Sequence, residues 1–446
     1  MFKKILIANR GEIAVRIVRA CREMGIPTVA VYSEADSEAL ATMLADEAIC
    51  IGPAASASSY LSPERILSAA IAMGADAIHP GFGFLSENSR FARMCEECHI
   101  RFIGPDSEMI ARMGSKAEAK NTMQAAGVPV VPGCPDVIFD SEVGRAEAAR
   151  IGYPVMVKAV SGGGGKGMRI VRSDDEWSLQ FAAAQRESEK AFGDEAMYLE
   201  KYVEHPRHVE VQILADAQGH VVYLGERDCT VQRHHQKVIE ESPCPVLTPE
   251  LRRQMGEAAV AAARAVGYEN AGTVEFLVDA SGAFYFMEMN TRIQVEHPVT
   301  EVMTGIDLIQ AQIRIAAGEP LPFRQEDIHP RGWAMECRIN AEDPERNFMP
   351  CPGTVTECHF PGGMGIRVDS AVYTGCRIPP YYDSMLVKLI AHGATREETI
   401  RRMEGALDEL VLEGVTTNQE YLKQILRHPV FRAGEHDTSF LETCME

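Results

Sequence analysis

Positive charge is what this 446-residue chain lacks most: 44 Lys and Arg stand against 64 Asp and Glu, a formal net charge of −20. Such a field repels nucleic acid and anionic lipid surfaces, which argues against both as partners, while a locally basic pocket for a phosphorylated small molecule stays open. Apolar runs are short. None approaches the roughly 18 residues of a membrane-spanning helix, and Ile5-Leu6-Ile7-Ala8 is too brief for a signal-peptide core, so a cytoplasmic placement is expected. Long homopolymer runs, internal repeats and long polar tracts are missing. With 46% hydrophobic and 24% charged residues the whole chain is expected to fold. Close cysteine pairs are missing too, apart from Cys95 and Cys98 beside His99. Without a second pair at matching spacing, a zinc or redox site is weaker than two thiols on a helix from Phe91 to Cys98, and reduced cysteines are expected. Finally, no G-x-G-x-x-G follows the first strand, which leaves dinucleotide binding unsupported.

What is present is an alternation of strand-like and helix-like segments. The order Lys3–Ile7 strand, Ala8–Gly11 turn, Ile13–Met24 helix and Pro27–Tyr32 strand is a Rossmann-like β-α-β opening. It continues with a helix from Pro63 to Met73, a strand at Ala75–His79, the loop Pro80-Gly81-Phe82-Gly83, a helix near Asn88–Cys98 and a strand at Arg101–Ile103. A first domain over 1–114 is expected. A second, over 115–330, starts with a helix around Lys116–Ala126 and contains a β-rich lid at about 130–203. From 331 to 446 the pattern turns strand-rich, and its last clear helix begins at a capping box, Thr395 to Glu398, with an apolar face of Ile400, Met403, Leu407 and Leu410. The class is α/β.

The chemistry concentrates in a few places. Gly162-Gly163-Gly164-Gly165-Lys166-Gly167 links two apolar runs and lacks the Ser or Thr and the following helix of a Walker A loop. Its unshielded amides suit a hinged flap over ATP phosphates rather than a plain hairpin tip. Gly272–Val278 and Ala283–Asn290 read as a hairpin; a turn centred between Ser281 and Gly282 sets Glu275 opposite Glu288, with Asn290 on the same face. Facing carboxylates call for a cation, and oxygen ligands suit Mg²⁺ or Mn²⁺. If the polar alternation from Glu288 through Asn290, Arg292, Gln294 and Glu296 is extended, Arg292 grips a small oxyanion, Gln294 orients it and Glu296 takes its proton. In Gln232-Arg233-His234-His235-Gln236-Lys237, the adjacent histidines on a strand face opposite ways, so ATP or phosphate contacts are favoured over zinc.

Taken in order, Ile5–Ala14, His79–Asn88, the glycine flap, Glu226-Arg-Asp-Cys229, Glu288-Met-Asn-Thr-Arg-Ile-Gln-Val-Glu-His-Pro298 and Arg338-Ile-Asn-Ala-Glu-Asp343 resemble biotin carboxylase of the ATP-grasp superfamily, over essentially the whole chain. The resemblance implies a pre-ATP-grasp domain, an ATP-grasp domain with a mobile lid, and a C-terminal β-rich domain. It implies nucleotide contacts at Lys116, Lys158, Gly164, Gly165, Glu200, Lys201, Val203, His208 and His235. Glu275, Glu288 and Asn290 resemble the metal ligands, for two ions, with Glu275 and Glu288 also on the nucleotide side. Lys237, Arg292, Gln294, Val295 (by its backbone) and Glu296 resemble the bicarbonate site, and Arg338 the residue facing the biotin ureido group. The implied reaction passes through carboxyphosphate to carboxybiotin, with Glu296, Arg292, Lys237 and Arg338 catalytic. Phe82 stands where many relatives carry Tyr, and Lys166 where the flap often has Arg. The Met-Lys-Met signature of a biotin-accepting domain is absent. A carboxyltransferase subunit, a separate biotin carboxyl carrier protein and a second copy in a homodimer are therefore the expected partners, as in acetyl-CoA carboxylase of fatty acid biosynthesis, although acetyl-CoA, propionyl-CoA and pyruvate all stay open as final acceptors.

Two rivals are weighed. An ATP-grasp ligase with an amine acceptor shares flap and metal carboxylates but does not account for Arg338 and the Arg292–Glu296 string. A noncatalytic nucleotide-binding regulatory protein does not need the full set of acid, amide and basic residues.

Overall fold

Near the N-terminus the short apolar runs become parallel strands: β1 (Ile5–Ile7), β2 (Thr28–Ser33), β3 (Glu47–Gly52), β4 (Ala77–His79) and β5 (Arg101–Phe102), in the order β3-β2-β1-β4-β5. Helix α1 (Gly11–Glu23) crosses from β1 to β2. Where the strand order reverses, between β1 and β4, Asn9 Nδ2 donates to the carbonyls of Pro80 and Phe82, both at 2.7 Å. Gly81 is required there, since its φ is +62° and a Cβ would meet Asn9 Nδ2 at 2.9 Å. Loops beyond the carboxyl ends of strands at such a reversal are where α/β folds present ligand-binding groups.

The computed structural model describes residues 1–134, 136–160 and 168–445, without the side chains of Lys116, Ala117, Ala191 and Phe192. The glycine flap, with Gly164, Gly165 and Lys166, lies outside the described residues. The chain packs as two compact units, one of residues 1–128, 207–276 and 288–446, the other of 129–206 and 277–287. In the smaller unit β6 (Val155–Ala159) lies between β7 (Met168–Val171) and β8 (Met197–Lys201), all antiparallel. Alternation buries Val155, Val157 and Ala159 and turns Met156 and Lys158 the other way. Over the buried face lie Trp177 and Phe181, stacked at 5.0 Å, with the indole nitrogen donating to Ser141 O at 2.9 Å.

An eight-stranded sheet, all of it in the larger unit except Leu277, Val278 and residues 284–287 of one hairpin, organises that unit. Its members are β9 (Arg207–Ala215), β10 (Val221–Arg233), β11 (Gln236–Ser242), β12 (Asn270–Val278), β13 (Phe284–Asn290), β14 (Trp333–Asn340) and the strands Ile366–Ser370 and Met385–Gly393. The order is β13-β12-β9-β10-β11-β14, then Met385–Gly393, then Ile366–Ser370 at the edge. Since β11 pairs with β14, the sheet runs without a break across residue 331. Its two faces differ. Met335, Cys337, Ile339, Val387 and Leu389 point into an apolar core under the helices Arg396–Glu409 and Gln419–Arg427. Glu240, Glu336, Arg338 and Lys388 share the opposite, polar face by register.

Several local expectations change. The Thr395 helix is followed by Gln419–Arg427, a short helix whose Tyr421, Leu422, Ile425 and Leu426 are buried, and by two shorter helical segments. At the capping box Thr395 Oγ1 accepts from Glu398 N at 3.3 Å, but Glu398 Oε2 reaches Ala394 N (2.9 Å), one residue further out. Cys95 is buried in a helix and Cys98 exposed at its end, and no disulfide joins cysteines among the described residues. Among those residues no helix is long and apolar enough to cross a membrane.

Candidate active site

Two hairpins and one loop build the site. Between β10 and β11, His234 and His235 both adopt positive φ, +47° and +65°, so they form the two-residue tip of a hairpin closed by Arg233 and Gln236. The strand reading of that His pair is thus corrected, and His235 is exposed at the tip. Shortly beyond it, Lys237 turns inward with a side chain 12% exposed. Its ammonium donates to Glu210 Oε2 (2.6 Å), Glu296 Oε1 (2.6 Å), Glu275 Oε1 (3.2 Å) and Gln294 Oε1 (3.3 Å). Burial alone would strip its proton. The Cys229 sulfur and the carboxylates of Glu210, Glu296 and Glu275 instead hold Lys237 well above its usual range.

The β12–β13 hairpin closes with Asp279 N on Ala283 O (2.9 Å) and Gly282 N on Asp279 O (3.0 Å), centring its turn on Ser281. What Glu275 meets is Asn290 Nδ2 at 2.8 Å, Gln294 Nε2 at 2.9 Å and His208 Nε2 at 2.8 Å, while Glu288 stands half-buried in β13. Burial pushes Glu275 up, but Lys237 and His208 outweigh it and leave the carboxyl well below its ordinary value. The ionised Glu275 carboxylate is the kind of oxygen ligand that fits a hard divalent cation, while Asn290 turns its amide nitrogen to Glu275 and its oxygen to Arg292 and would join such a set by turning its amide over. His208, Glu210 and Glu275 also bring ligand atoms within 4.8 Å of one another, but the Lys237 ammonium already bonds both acids there.

β13 ends at Asn290, and the polar stretch beyond it is not one extended strand: the chain bends at Thr291 and Arg292 and turns at Val295 and Glu296 into the helix His297–Thr304. Pro298 in the first turn suits a helix start and not a strand interior. Asn290, Gln294 and Glu296 still converge on Glu275 and Lys237. Arg292 sits at the margin, its guanidinium bonded to Glu87 Oε2 (2.9 Å), Asn290 Oδ1 (3.1 Å) and Ile293 O (3.2 Å). The Val295 carbonyl accepts from Lys388 Nζ at 2.8 Å.

Glu296, 1% exposed, is gripped from both sides by Lys237 and by Arg338 Nη2 at 2.9 Å. Burial pushes its carboxyl up, yet Lys237, Arg338 and Arg227 hold it well below the usual range. It is therefore an ionised acceptor at neutral pH. As a base it is weak until an arriving substrate loosens those two cations.

In the smaller unit Lys158 Nζ donates to Glu200 Oε2 at 2.5 Å, and Lys201 Nζ donates to the carbonyls of Gly152 (2.8 Å) and Tyr153 (2.9 Å). Val203 is half-buried just past β8, and Lys116 opens the helix Lys116–Ala125. Sequence reasoning missed several residues that hold the centre. Arg227, fully buried, donates to Glu210 Oε1 (2.6 Å), Gln212 Oε1 (2.8 Å) and Thr300 Oγ1 (2.8 Å). Glu210, its direct cross-strand partner, links it to Lys237. Glu240, Glu336, Lys388 and Glu12 were missed as well. The signal was present, since His208, Glu210 and Gln212 alternate with apolar residues along β9, as do Glu336 and Arg338 along β14.

Residues 1–110 match the family "Biotin carboxylase, N-terminal domain", 115–324 "Carbamoyl-phosphate synthase L chain, ATP binding domain", and 336–443 "Biotin carboxylase C-terminal domain". Biotin carboxylase 1 of Bacillus subtilis is 56% identical over 444 residues, 99% of both chains. The chain belongs to the biotin carboxylase family. A pyruvate carboxylase subunit of Methanothermobacter thermautotrophicus is 54% identical, over 99% of this chain and 90% of its own. Among solved structures, the biotin carboxylase domain dimer of Hydrogenobacter thermophilus 2-oxoglutarate carboxylase, in complex with MgADP, ADP and bicarbonate, superposes with a TM-score of 0.89 at 50% identity, over 99% of this chain and 97% of that one. Biotin carboxylase relatives thus serve more than one acceptor acid.

Proposed function

We propose that this member of the biotin carboxylase family, an ATP-dependent ligase, carboxylates biotin with ATP and bicarbonate at the cluster of Lys237, Arg292, Gln294, Val295, Glu296 and Arg338. The observation that carries the reading is the double grip of Lys237 and Arg338 on Glu296. Lys116, Lys158, Gly164, Gly165, Glu200, Lys201, Val203, His208 and His235 take the nucleotide, and Glu275, Glu288 and Asn290 hold Mg²⁺ or Mn²⁺. Bound there, a divalent cation supplies charge neutralisation to the triphosphate. Arg292 and Gln294 orient bicarbonate, and Glu296 takes its proton. The carbonate oxygen then bonds to the γ-phosphorus as the bond to the β,γ-bridging oxygen breaks, and Lys237 balances the charge on the departing ADP side. Carboxyphosphate splits into CO₂ and phosphate. Phosphate removes the ureido N–H proton of biotin, Arg338 stabilises the ureido anion, and its nitrogen bonds to CO₂.

The fold is read as a pre-ATP-grasp segment over 1–114, an ATP-grasp segment over 115–330 with its lid at about 130–203, and a C-terminal segment over 331–446. The biotin is carried by a separate carrier protein, a carboxyltransferase subunit chooses the acceptor acid, and the enzyme works as a cytoplasmic homodimer. The test is ADP release by purified protein given Mg-ATP, bicarbonate and free biotin. Release above controls lacking biotin and bicarbonate is expected. Release that needs ammonia or another amine in place of biotin hands the site to the carbamoyl-phosphate type of ligase, and no release above controls sinks the assignment.

A further inference from the structure

Arg338 is shared by two acids through one nitrogen. Its Nη2 lies 2.9 Å from Glu296 Oε2 and 2.5 Å from Glu240 Oε1. The chemistry above uses Glu296 and leaves Glu240 without a task. Glu240 is wholly buried, with a side chain 0% exposed, and among the described residues neither of its oxygens has a hydrogen bond of good geometry. Among the described residues, its ion pair with Arg338, helped by the charge of Lys237, compensates that burial. Register places it there: Glu240 on β11 lies opposite Glu336 on β14, so Arg338, two residues further along, shares its face. An apolar side chain at this point would avoid several kcal/mol of desolvation. It would also leave Arg338 anchored by Glu296 alone, the one acid whose charge changes during turnover.

Resting on the function proposed above, we infer that Glu240 is a positioning residue, which keeps the Arg338 guanidinium aimed at the biotin ureido oxygen while Glu296 carries the bicarbonate proton. Burial, opposed by Arg338 and Lys237 and reinforced by the negative charge of Glu296, leaves the Glu240 carboxyl raised to about 7. Protonating Glu296 removes that last repulsion and favours ionised Glu240. The guanidinium thus exchanges one anionic partner for the other without leaving its place.

Glu240→Gln keeps the size and removes the charge. Because carboxyphosphate forms before biotin is needed, bicarbonate-dependent ADP release without biotin reads the first half of the reaction, and the increment on adding free biotin reads the second. The variant is expected to raise the KM for biotin and lower kcat/KM for biotin about tenfold, a loss at least about fivefold larger than in the biotin-free arm. In an Arg338→Gln background the same change is expected to add no further loss, since the two act as one unit. Equal losses in both arms, no loss in either, or losses that multiply in the Arg338→Gln background each overturn the inference. Should Glu240→Gln fail to give a cooperative thermal transition, Glu240→Asp, which keeps the charge one methylene further away, is read in the same two arms against the same outcomes. A wild-type protein without biotin-dependent ADP release overturns the function reading instead, whatever the variants do.

Discussion

Lys158–Glu200 in the smaller unit and Lys237–Glu296 in the larger are both lysine–glutamate contacts, at 2.5 Å and 2.6 Å. Their surroundings separate them. The first pair is 27% and 15% exposed, so water screens it and either partner can turn to a ligand at small cost. The second is 12% and 1% exposed and is tied into Glu210, Arg227, Glu275 and Arg338. In that low-dielectric cluster, removing one charge leaves its partners uncompensated. On the function proposed above, the same two residue types would serve as an adjustable ligand contact in one place and as a fixed electrostatic frame in the other.

The sharpest way to break this comparison is at Glu296. Glu296→Ala is expected to retain nucleotide binding, followed by fluorescence titration, while ADP turnover falls by roughly 10²–10⁴-fold; unchanged turnover removes Glu296 as the base. Next comes the frame. Arg227→Met exchanges a buried cation for an apolar chain of similar length and leaves the buried Glu210 with Lys237 alone, for an expected loss of about 3–5 kcal/mol in urea unfolding. Lys158→Ala should do the opposite, raising the KM for ATP about tenfold while shifting stability by less than about 1 kcal/mol. If Lys158→Ala unfolds the protein as readily as Arg227→Met, the contrast fails.

The smallest effect is a pH dependence. Burial pushes the Glu12 carboxyl up to about 7 from an ordinary 4.5, against the pull of Lys388 3.0 Å away. A raised carboxyl favours the protonated folded form. It therefore contributes stability below about 4.5 that is lost as pH rises through about 7, and Glu240 adds in the same direction. Urea midpoints between pH 5 and 7.5 should accordingly vary less with pH in Glu12→Gln than in wild type, and parallel curves would remove Glu12 as the source.

Legibility from sequence followed how locally each feature is encoded. The β-α-β opening was readable because period and turn residues sit within a few positions of one another, from Ile5 to Ser33. Glu275, Gln294 and Glu296 were readable because polar residues stand out in apolar stretches. Glu210 carried the same signal along β9 and went unused, whereas Arg227 was not readable, since an Arg on β10 gains its meaning only from the residue opposite on β9. The short helix Gln419–Arg427 escaped although Tyr421, Leu422, Ile425 and Leu426 recur at helical spacing, because nine residues are too few to hold a helix alone and its burial depends on the sheet beneath it.

By itself the sequence determined the α/β class, the polar strings to which the proposed chemistry is assigned, and membership in the biotin carboxylase family. Tertiary structure alone decided which acids share a cation: Glu210 with Arg227 and Lys237, Glu240 and Glu296 with Arg338, Glu12 with Lys388. The reason is physical. Coulomb interactions in a buried layer depend on separation in space and on excluded water, and both are set by strand register and by turns such as the one at Val295 and Glu296.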